Sequence, residues 1–367
     1  MEHIRIAIIG ASTGQLPLCK KAREMGLETF CYAWHEGAVC KDHVDHFIPI
    51  SIFDMSAIVE DCRKNKVSGV VSNCSEKTAF VAAYVSEQLG LDGVSSAVLE
   101  KIQSKNYVRN LTNDIPFLSP IRFKMGKYKD IITDFPLPFV LKPIVGAAKI
   151  GVNFVSSKED VIEIPDTLRN VDFMVEEYVD GKEYSVECIS FRNYHQVIQI
   201  TEKISTGAPH FVELEHHQPA MLSKEIEQKI KKAIPLILKR IGYQTGASHI
   251  EIKVSSDDKI YLIEVNPRGG GDSISSELVC RSTDCDYLKE MILVALGLFK
   301  PIEVHNVAYS GIYFLSSQTS YLLPYFNQVE ADWMVERKRI TDSLTESTSN
   351  YDRDGYIIYC SNKKIIL

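Results

Sequence analysis

No Cys-x-x-Cys pair occurs in the 367-residue chain; its nine cysteines stand singly at positions 19, 31, 40, 62, 74, 188, 280, 285 and 360. That odd, scattered set argues against a disulfide framework, and without accompanying histidines Cys280 and Cys285 do not make a zinc site. Most of the thiols are expected to be small buried hydrophobes. A long basic run is also missing: 41 Lys plus Arg face 48 Asp plus Glu, a net charge of −7, which disfavours nucleic acid as a partner. The N-terminal apolar run ends at Gly10, too soon for a membrane span, and no signal-peptide cleavage pattern follows. The expected setting is cytoplasmic, with no membrane partner. Internal repeats and low-complexity tracts are absent.

With 45% hydrophobic and 24% charged residues, the chain reads as a soluble globular protein of two or three domains. Residues 1–95 alternate short apolar strands with helical patterns, which predicts a parallel α/β sheet. A stretch containing Gly93, Pro116 and Pro120 then reads as a hinge. Residues 96–304 form the second expected domain. It is strand-rich to Gln218, with a lid-like part at about 120–180, followed by a helix from the cap Ser223 to Gly242 through Pro235. Residues 305–367 are expected as a small β-rich region. The fold class is therefore α/β followed by α+β.

The most informative segment is the hairpin His249–Val254 and Lys259–Arg268. Alternation puts Ile250, Ile252 and Val254 on a core face with Tyr261, Ile263 and Val265, and leaves Ile260 and Leu262 on the face of the carboxylates. A two-residue turn at Asp257-Asp258 sets Glu251 directly opposite Glu264, and a turn one residue earlier makes them diagonal. Like charges so placed repel and call for a cation. Glu251, Glu264 and Asn266 offer hard oxygen ligands suited to Mg²⁺, with Mn²⁺ as a substitute. The alternative is bridging by Lys253, Lys259 or Arg268. The run Asn266-Pro267-Arg268-Gly269-Gly270-Gly271-Asp272 adds a fixed positive charge and backbone that can approach a phosphate or a developing oxyanion. A flexible surface turn is its bland reading.

Two further segments fit a nucleotide. Lys142 ends a strand before the small residues Gly146, Ala147, Ala148 and Gly151, whose amides can fold over phosphates. The Walker pattern G-x-x-x-x-G-K-[ST] is absent, and a plain hairpin explains the same residues. Downstream, Glu176, Glu177, Tyr178 and Val179 form a strand end whose backbone can meet an adenine edge, with Glu183 placed for ribose hydroxyls. Solvated strand-end charges are the other reading. The turn Gly10-Ala11-Ser12-Thr13-Gly14-Gln15 lacks G-x-G-x-x-G, so a dinucleotide site is not expected there.

Taken together, Lys105, Lys142, the small-residue loop, the Glu176–Val179 hinge, Glu183, Glu251, Glu264, Asn266 and Arg268 resemble the ATP-grasp superfamily in order and spacing over about residues 1–300. Within it, the run from Ile263 to Asp272 most resembles carboxylate-amine ligases of the L-amino acid (dipeptide) ligase kind. The segment is also similar to carbamoyl-phosphate synthase large-subunit-like and biotin carboxylase-like enzymes. The resemblance implies a pre-ATP-grasp domain, an ATP-grasp domain and ATP with Mg²⁺ as cofactors. It implies an ADP-forming ligase that joins a carboxylate to an amine through an acyl phosphate. Lys105 and Lys142 would hold phosphates, residues 176–179 the adenine, Glu183 the ribose, and Glu251, Glu264 and Asn266 the metal. Arg268 would steady the acyl phosphate. Glu213 and either His216 or His217 would lie near the amino substrate, and Gly10, Ser12, Gln15, Gly270 and Gly271 on the substrate side. Small-molecule carboxylate and amine substrates are the expected partners, and a homodimer is compatible with the fold. A bicarbonate-activating enzyme and a non-catalytic ATP-binding protein are the alternatives.

Overall fold

A computed structural model describes residues 4–131, 135–144, 153–160, 171–208, 210–327 and 330–367. Four parallel strands open the chain: β1 (Arg5–Ile9), β2 (Glu28–Tyr32), β3 (His46–Ile48) and β4 (Gly69–Val71), in the order β3-β2-β1-β4. Helices α1 (Leu16–Glu24), α2 (Met55–Lys64) and α3 (Glu76–Leu89) cover them. Ile6, Ala7, Ile8 and Ile9 are fully buried, the continuous apolar pattern of a parallel strand packed on both faces. The caps Asp54 and Ser75 accept from the amides of Ala57 and Thr78, satisfying N–H groups that a helix start leaves unpaired. The three-residue β3 is too short to give a periodic signal in the sequence.

Helices α4 (Ser96–Gln103) and α5 (Lys105–Thr112) lead to an antiparallel sheet of β5 (Phe123–Lys127), β6 (Phe139–Pro143), β7 (Asn153–Val155) and β8 (Asp172–Glu177), ordered β5-β8-β6-β7, with α6 (Tyr128–Ile131) beside it. The loop residues Gly146, Ala147, Ala148 and Gly151 lie outside the described residues.

An eight-stranded sheet carries the rest. Its strands are β9 (Lys182–Phe191), β10 (Tyr194–Ser205), β11 (Glu213–Gln218), β12 (Gly246–Val254), β13 (Ile260–Asn266), β14 (Tyr309–Leu315), β15 (Met334–Arg339) and β16 (Gly355–Ser361). The order β13-β12-β9-β10-β11-β14-β16-β15 means that strands from the C-terminal region extend this sheet rather than build one of their own. Helices α7 (Lys224–Arg240), α8 (Val279–Ser282), α9 (Tyr287–Ala295) and α10 (Leu323–Asn327) complete the chain. Helix α7 is capped by Ser223 and runs through Pro235. Its Ile226, Ile230, Ile234, Ile237 and Leu238 pack against Tyr184, Val186, Ile200, Ile250, Ile252 and Val254. Burying each such side chain is worth about 1.5–3 kcal/mol, so a one-residue slip of the sheet is prohibitively costly. Strand alternation then forces Glu183, Ser185 and Glu187 of β9, Lys203 of β10, and His249, Glu251 and Lys253 of β12 onto the opposite face, in register with one another. Among the described residues, no helix is long and apolar enough to cross a membrane.

Candidate active site

The β12–β13 hairpin starts out in a register that would separate the two glutamates. Val254 pairs with Ile260, Lys253 with Tyr261 and Ile252 with Leu262; continued regularly, this would turn Glu264 toward α7. A β-bulge between Glu251 and Ile252 absorbs Ile263 as an extra residue, after which Glu251 faces Glu264, Ile250 faces Val265 and His249 faces Asn266. The carboxylates are thus opposed by a three-residue loop at 256–258 together with the bulge, rather than by either of the expected two-residue turns. The loop register also corrects the assigned faces: Ile260 and Leu262 belong to the core on α7, whereas Tyr261 and Ile263 are half-buried on the other side.

The cations between the carboxylates come from other strands and helices than expected. Lys105, the first residue of α5, reaches Glu264 at 3.2 Å. Lys203 donates to Glu251 at 3.1 Å and pairs with Glu213 at 2.7 Å. His249 Nε2 lies 3.4 Å from Glu251. The bridges from Lys253, Lys259 and Arg268 do not form: Lys253 pairs with Glu183 at 3.2 Å, Lys259 with Asp257 at 2.8 Å, and Arg268 donates to the Gly269 carbonyl at 3.1 Å. Burial alone would raise the Glu251 pKa, but Lys203 and His249 outweigh it and hold the carboxyl well below its usual range. Burial pulls the His249 imidazole down, yet the buried Glu187 carboxylate reverses this and lifts it to about 9. Asn266 is buried beside the pair, its amide nitrogen without a hydrogen-bond partner among the described residues. Two carboxylates and an uncommitted amide form an oxygen donor set that fits Mg²⁺ or Mn²⁺.

The glycine run is fastened to this centre. Gly270 N–H donates to Glu187 Oε2 at 3.0 Å, and the other oxygen of Glu187 binds His249 Nδ1. A Cβ at 270 would lie 2.8 Å from that ring nitrogen and 3.0 Å from Glu187 Oε1, whereas one at Gly271 would meet nothing within 4 Å. Asp272 and Ser273 follow in the left-handed region, at φ 50° and 63°, before a π-helical turn at Ile274–Leu278. Such backbone costs about 1–3 kcal/mol per residue and concentrates at functional sites. Asp272 is thereby aimed at Arg353 Nη1, 2.9 Å away, and at His216 Nε2, 3.8 Å away. The same His216 nitrogen is 3.3 Å from Glu213. His216 therefore faces the site. His217 points away from it, bonded to Tyr359 Oη at 2.9 Å and to Glu215 at 2.8 Å. Donor atoms of Glu213, His216 and Asp272 lie within 4.8 Å of one another, a spacing that could hold a cation, although Lys203 and Arg353 already supply positive charge there.

In the four-stranded sheet, Lys142 binds one carboxylate oxygen of Glu176, and Arg109 of α5 binds the other at 3.0 Å. Burial depresses the Lys142 ammonium pKa despite this pairing. The Glu176 side chain is thus an internal counter-charge rather than an adenine contact. Glu177 likewise binds Arg122, through its backbone amide at 3.0 Å and Nε at 2.7 Å. Tyr178 packs edge-on against Phe154 at 4.7 Å and under the Lys253 ammonium at 5.0 Å. The Val179 carbonyl accepts from Lys253 at 3.2 Å, close to Glu183. The hinge and Glu183 are brought together by Lys253.

Of the N-terminal turn, Gln15 is spent on structure. Its Oε1 accepts from the Ser12 amide at 3.0 Å and the Ser12 hydroxyl at 2.6 Å, and its Nε2 donates to Asn73 O at 2.6 Å. Gly10 (φ 92°) leaves no room for a Cβ, which would stand 2.9 Å from Thr78 Cγ2. Ser12 remains exposed. The end of β4 touches the glycine run, with Asn73 donating to Ser275 at 3.1 Å and Cys74 to Gly270 O at 3.6 Å. Glu76, at the start of α3, feels burial first and then Glu264, both of which raise its carboxyl pKa, with Arg268 and Lys105 opposing. Arg109, Lys203, Glu187, His249, Glu76 and Arg353 were not foreseen. Glu187 and His249 did carry a signal: Glu187 stands between Val186 and Cys188 in phase with Glu183, and His249 alternates with Ile250 in phase with Glu251.

Residues 135–277 match the ATP-grasp domain family. The chain is 24% identical over 268 residues to the alanine–anticapsin ligase of Bacillus subtilis (strain 168), covering 65% of this chain and 56% of that protein. It is 29% identical over 172 residues to the D-alanine–D-alanine ligase of Fervidobacterium nodosum, covering 43% and 52%. The matched stretches thus span about half the length of these curated relatives. Among solved structures, an L-amino acid ligase from Bacillus licheniformis superposes with a TM-score of 0.80 at 20% identity, covering 99% and 94% of the two chains. N5-carboxyaminoimidazole synthetase from Staphylococcus aureus, solved with ADP, gives 0.76 at 17%, covering 98% and 94%.

Proposed function

We propose that this chain, whose residues 135–277 match the ATP-grasp domain family, is an ATP- and Mg²⁺-dependent ligase that joins a carboxylate to an amine and releases ADP and phosphate. The observation that carries this reading is the opposition of Glu251 and Glu264 on a polar sheet face, with Lys105 and Lys203 drawn to them. Glu251, Glu264 and Asn266 would hold Mg²⁺, which when bound neutralises phosphate charge. Lys105 and Lys142 bring further positive charge to the phosphates. A substrate carboxylate attacks the γ-phosphate, giving an acyl phosphate and ADP. The amine then displaces phosphate and loses a proton. Arg268 offers a fixed cation to the oxyanion of that second step. The chain's contribution is positioning and charge, with no covalent nucleophile required. The ligases named among its relatives and structural neighbours support this class of reaction.

The test is ADP release across a panel of carboxylate and amine pairs, with product mass measured. Amine-dependent release that vanishes in Glu264→Gln is the expected result. Release that depends on bicarbonate and on no amino acid would replace this reading with a bicarbonate-activating one.

A further inference from the structure

A basic residue from the C-terminal region reaches the substrate end of this site. Arg353 precedes β16, is buried, and lies with its guanidinium carbon 3.6 Å from the centre of the Phe314 ring, a stacking contact that fixes the plane of the fork. Nη1 donates to Asp272 at 2.9 Å. Nε and Nη2, which share the other edge of the guanidinium, are buried without a hydrogen-bond partner among the described residues; Glu213 Oε2 lies 3.9 Å from Nη2. Both ring nitrogens of the fully buried His216 are also without a hydrogen-bond partner there. Leaving such donors unmatched is costly, and two parallel N–H groups match the spacing of one carboxylate.

Building on the ligase reading, we propose that the free edge of Arg353 binds a substrate carboxylate that is not the one activated, and so makes the enzyme selective for a substrate pair carrying a second carboxylate. The position sets this role. Arg353 is separated from Glu251 by Glu213 and Lys203, linked at 3.9, 2.7 and 3.1 Å, so a carboxylate on Arg353 lies away from the phosphate-transfer centre. Asp272 and Glu213 stand beside it as acceptors for an ammonium group. Carboxylate and ammonium acceptors side by side fit the head of an α-amino acid. The bound carboxylate belongs either to the amine substrate or to a dicarboxylic acyl donor.

The test uses the full chain with Mg·ATP and measures ADP release in two arms. The amine is supplied as L-alanine or L-alaninamide, and the acyl donor as L-glutamate or L-glutamine. In the wild type, one of the two replacements is expected to lower kcat/KM about 100-fold, mainly through KM, and the arm affected identifies the source of the carboxylate. Arg353→Gln should shrink that preference to about threefold or less. Arg353→Lys keeps the charge but loses the paired edge, and should lose most of the preference; it carries the test if the Gln variant does not fold. A wild type indifferent in both arms, or a folded variant as selective as the wild type, overturns the proposal. Absence of ADP release with every pair would count against the ligase reading itself. The Arg353 site is then read from the melting temperature of the Mg·ADP-bound protein with L-glutamate and with L-glutamine. An acid-specific rise lost in Arg353→Gln supports the site, and no acid-specific rise overturns it.

Discussion

Two buried charge clusters in this chain use the same residue types and differ in how completely they are satisfied. In the four-stranded antiparallel sheet, Glu176 gives one oxygen to Lys142 and the other to Arg109, so both are taken by its own neighbours, and one buried donor of the cluster, Arg109 Nε, is without a hydrogen-bond partner among the described residues. On the eight-stranded sheet, the series Glu251, Lys203, Glu213, His216, Asp272 and Arg353 is longer, yet leaves donors of Asn266, His216 and Arg353 unmatched among the described residues. A cluster near saturation holds its members in place, while one with spare donors is prepared for something from outside. The dipeptide His216-His217 repeats the contrast at the smallest scale. One ring opens onto the site and the other is fully bonded on the reverse face of β11.

The sharpest way to break this contrast is to disable the open cluster. Glu264→Gln or Arg268→Ala should abolish ADP release, a loss of at least about 10³-fold, with circular dichroism unchanged. Undiminished turnover in both variants would contradict the assignment. Breaking the better-satisfied cluster should act first on the fold. Glu176→Gln leaves Lys142 and Arg109 buried without their counter-charge and should cost about 3–5 kcal/mol in denaturant unfolding. A third substitution, Gly270→Ala, presses a methyl against His249 and Glu187 and should cost about 1–3 kcal/mol together with a fall in activity, which calorimetry and the ADP assay check side by side. The smallest effect concerns His217. Burial, the largest influence, depresses its pKa against the pull of Glu215, so the folded chain binds fewer protons than the unfolded one. Its contribution to stability is therefore present above the unfolded pKa and shrinks as pH falls below about 6.5, by at most about 1.4 kcal/mol per pH unit. His217→Gln should flatten that slope, and an unaltered slope would assign the pH dependence elsewhere.

Much of the architecture was legible because it rests on local signals. Alternating apolar strands and capped helices announced the parallel sheet, and Ser223 and Gly242 bounded α7 correctly. The opposition of Glu251 and Glu264 was legible too, but for a reason that was not: whether a strand contains a bulge is decided by packing against α7, which no spacing in β13 reveals. Cross-strand partners were hidden for the same reason. Lys203 is far from Glu251 in sequence and reaches it across β9 through sheet order, and Arg353 is as far from the Asp272 and Glu213 that it meets. Conversely, Gln15 and Glu176 looked available in the sequence and are consumed by bonds to Asn73, Lys142 and Arg109.

The bulge at Ile263 has a second effect. Strand β13 is the outermost of its sheet, and an even outer strand presents a row of backbone groups that another molecule's strand can zip onto. Here the row is interrupted by the extra residue, while the carbonyls of Ile260, Leu262 and Ile263 are already taken by the Ser119 amide and the Arg109 guanidinium. The irregularity that brings the two glutamates face to face therefore also makes this outer strand a poor template for another molecule's strand.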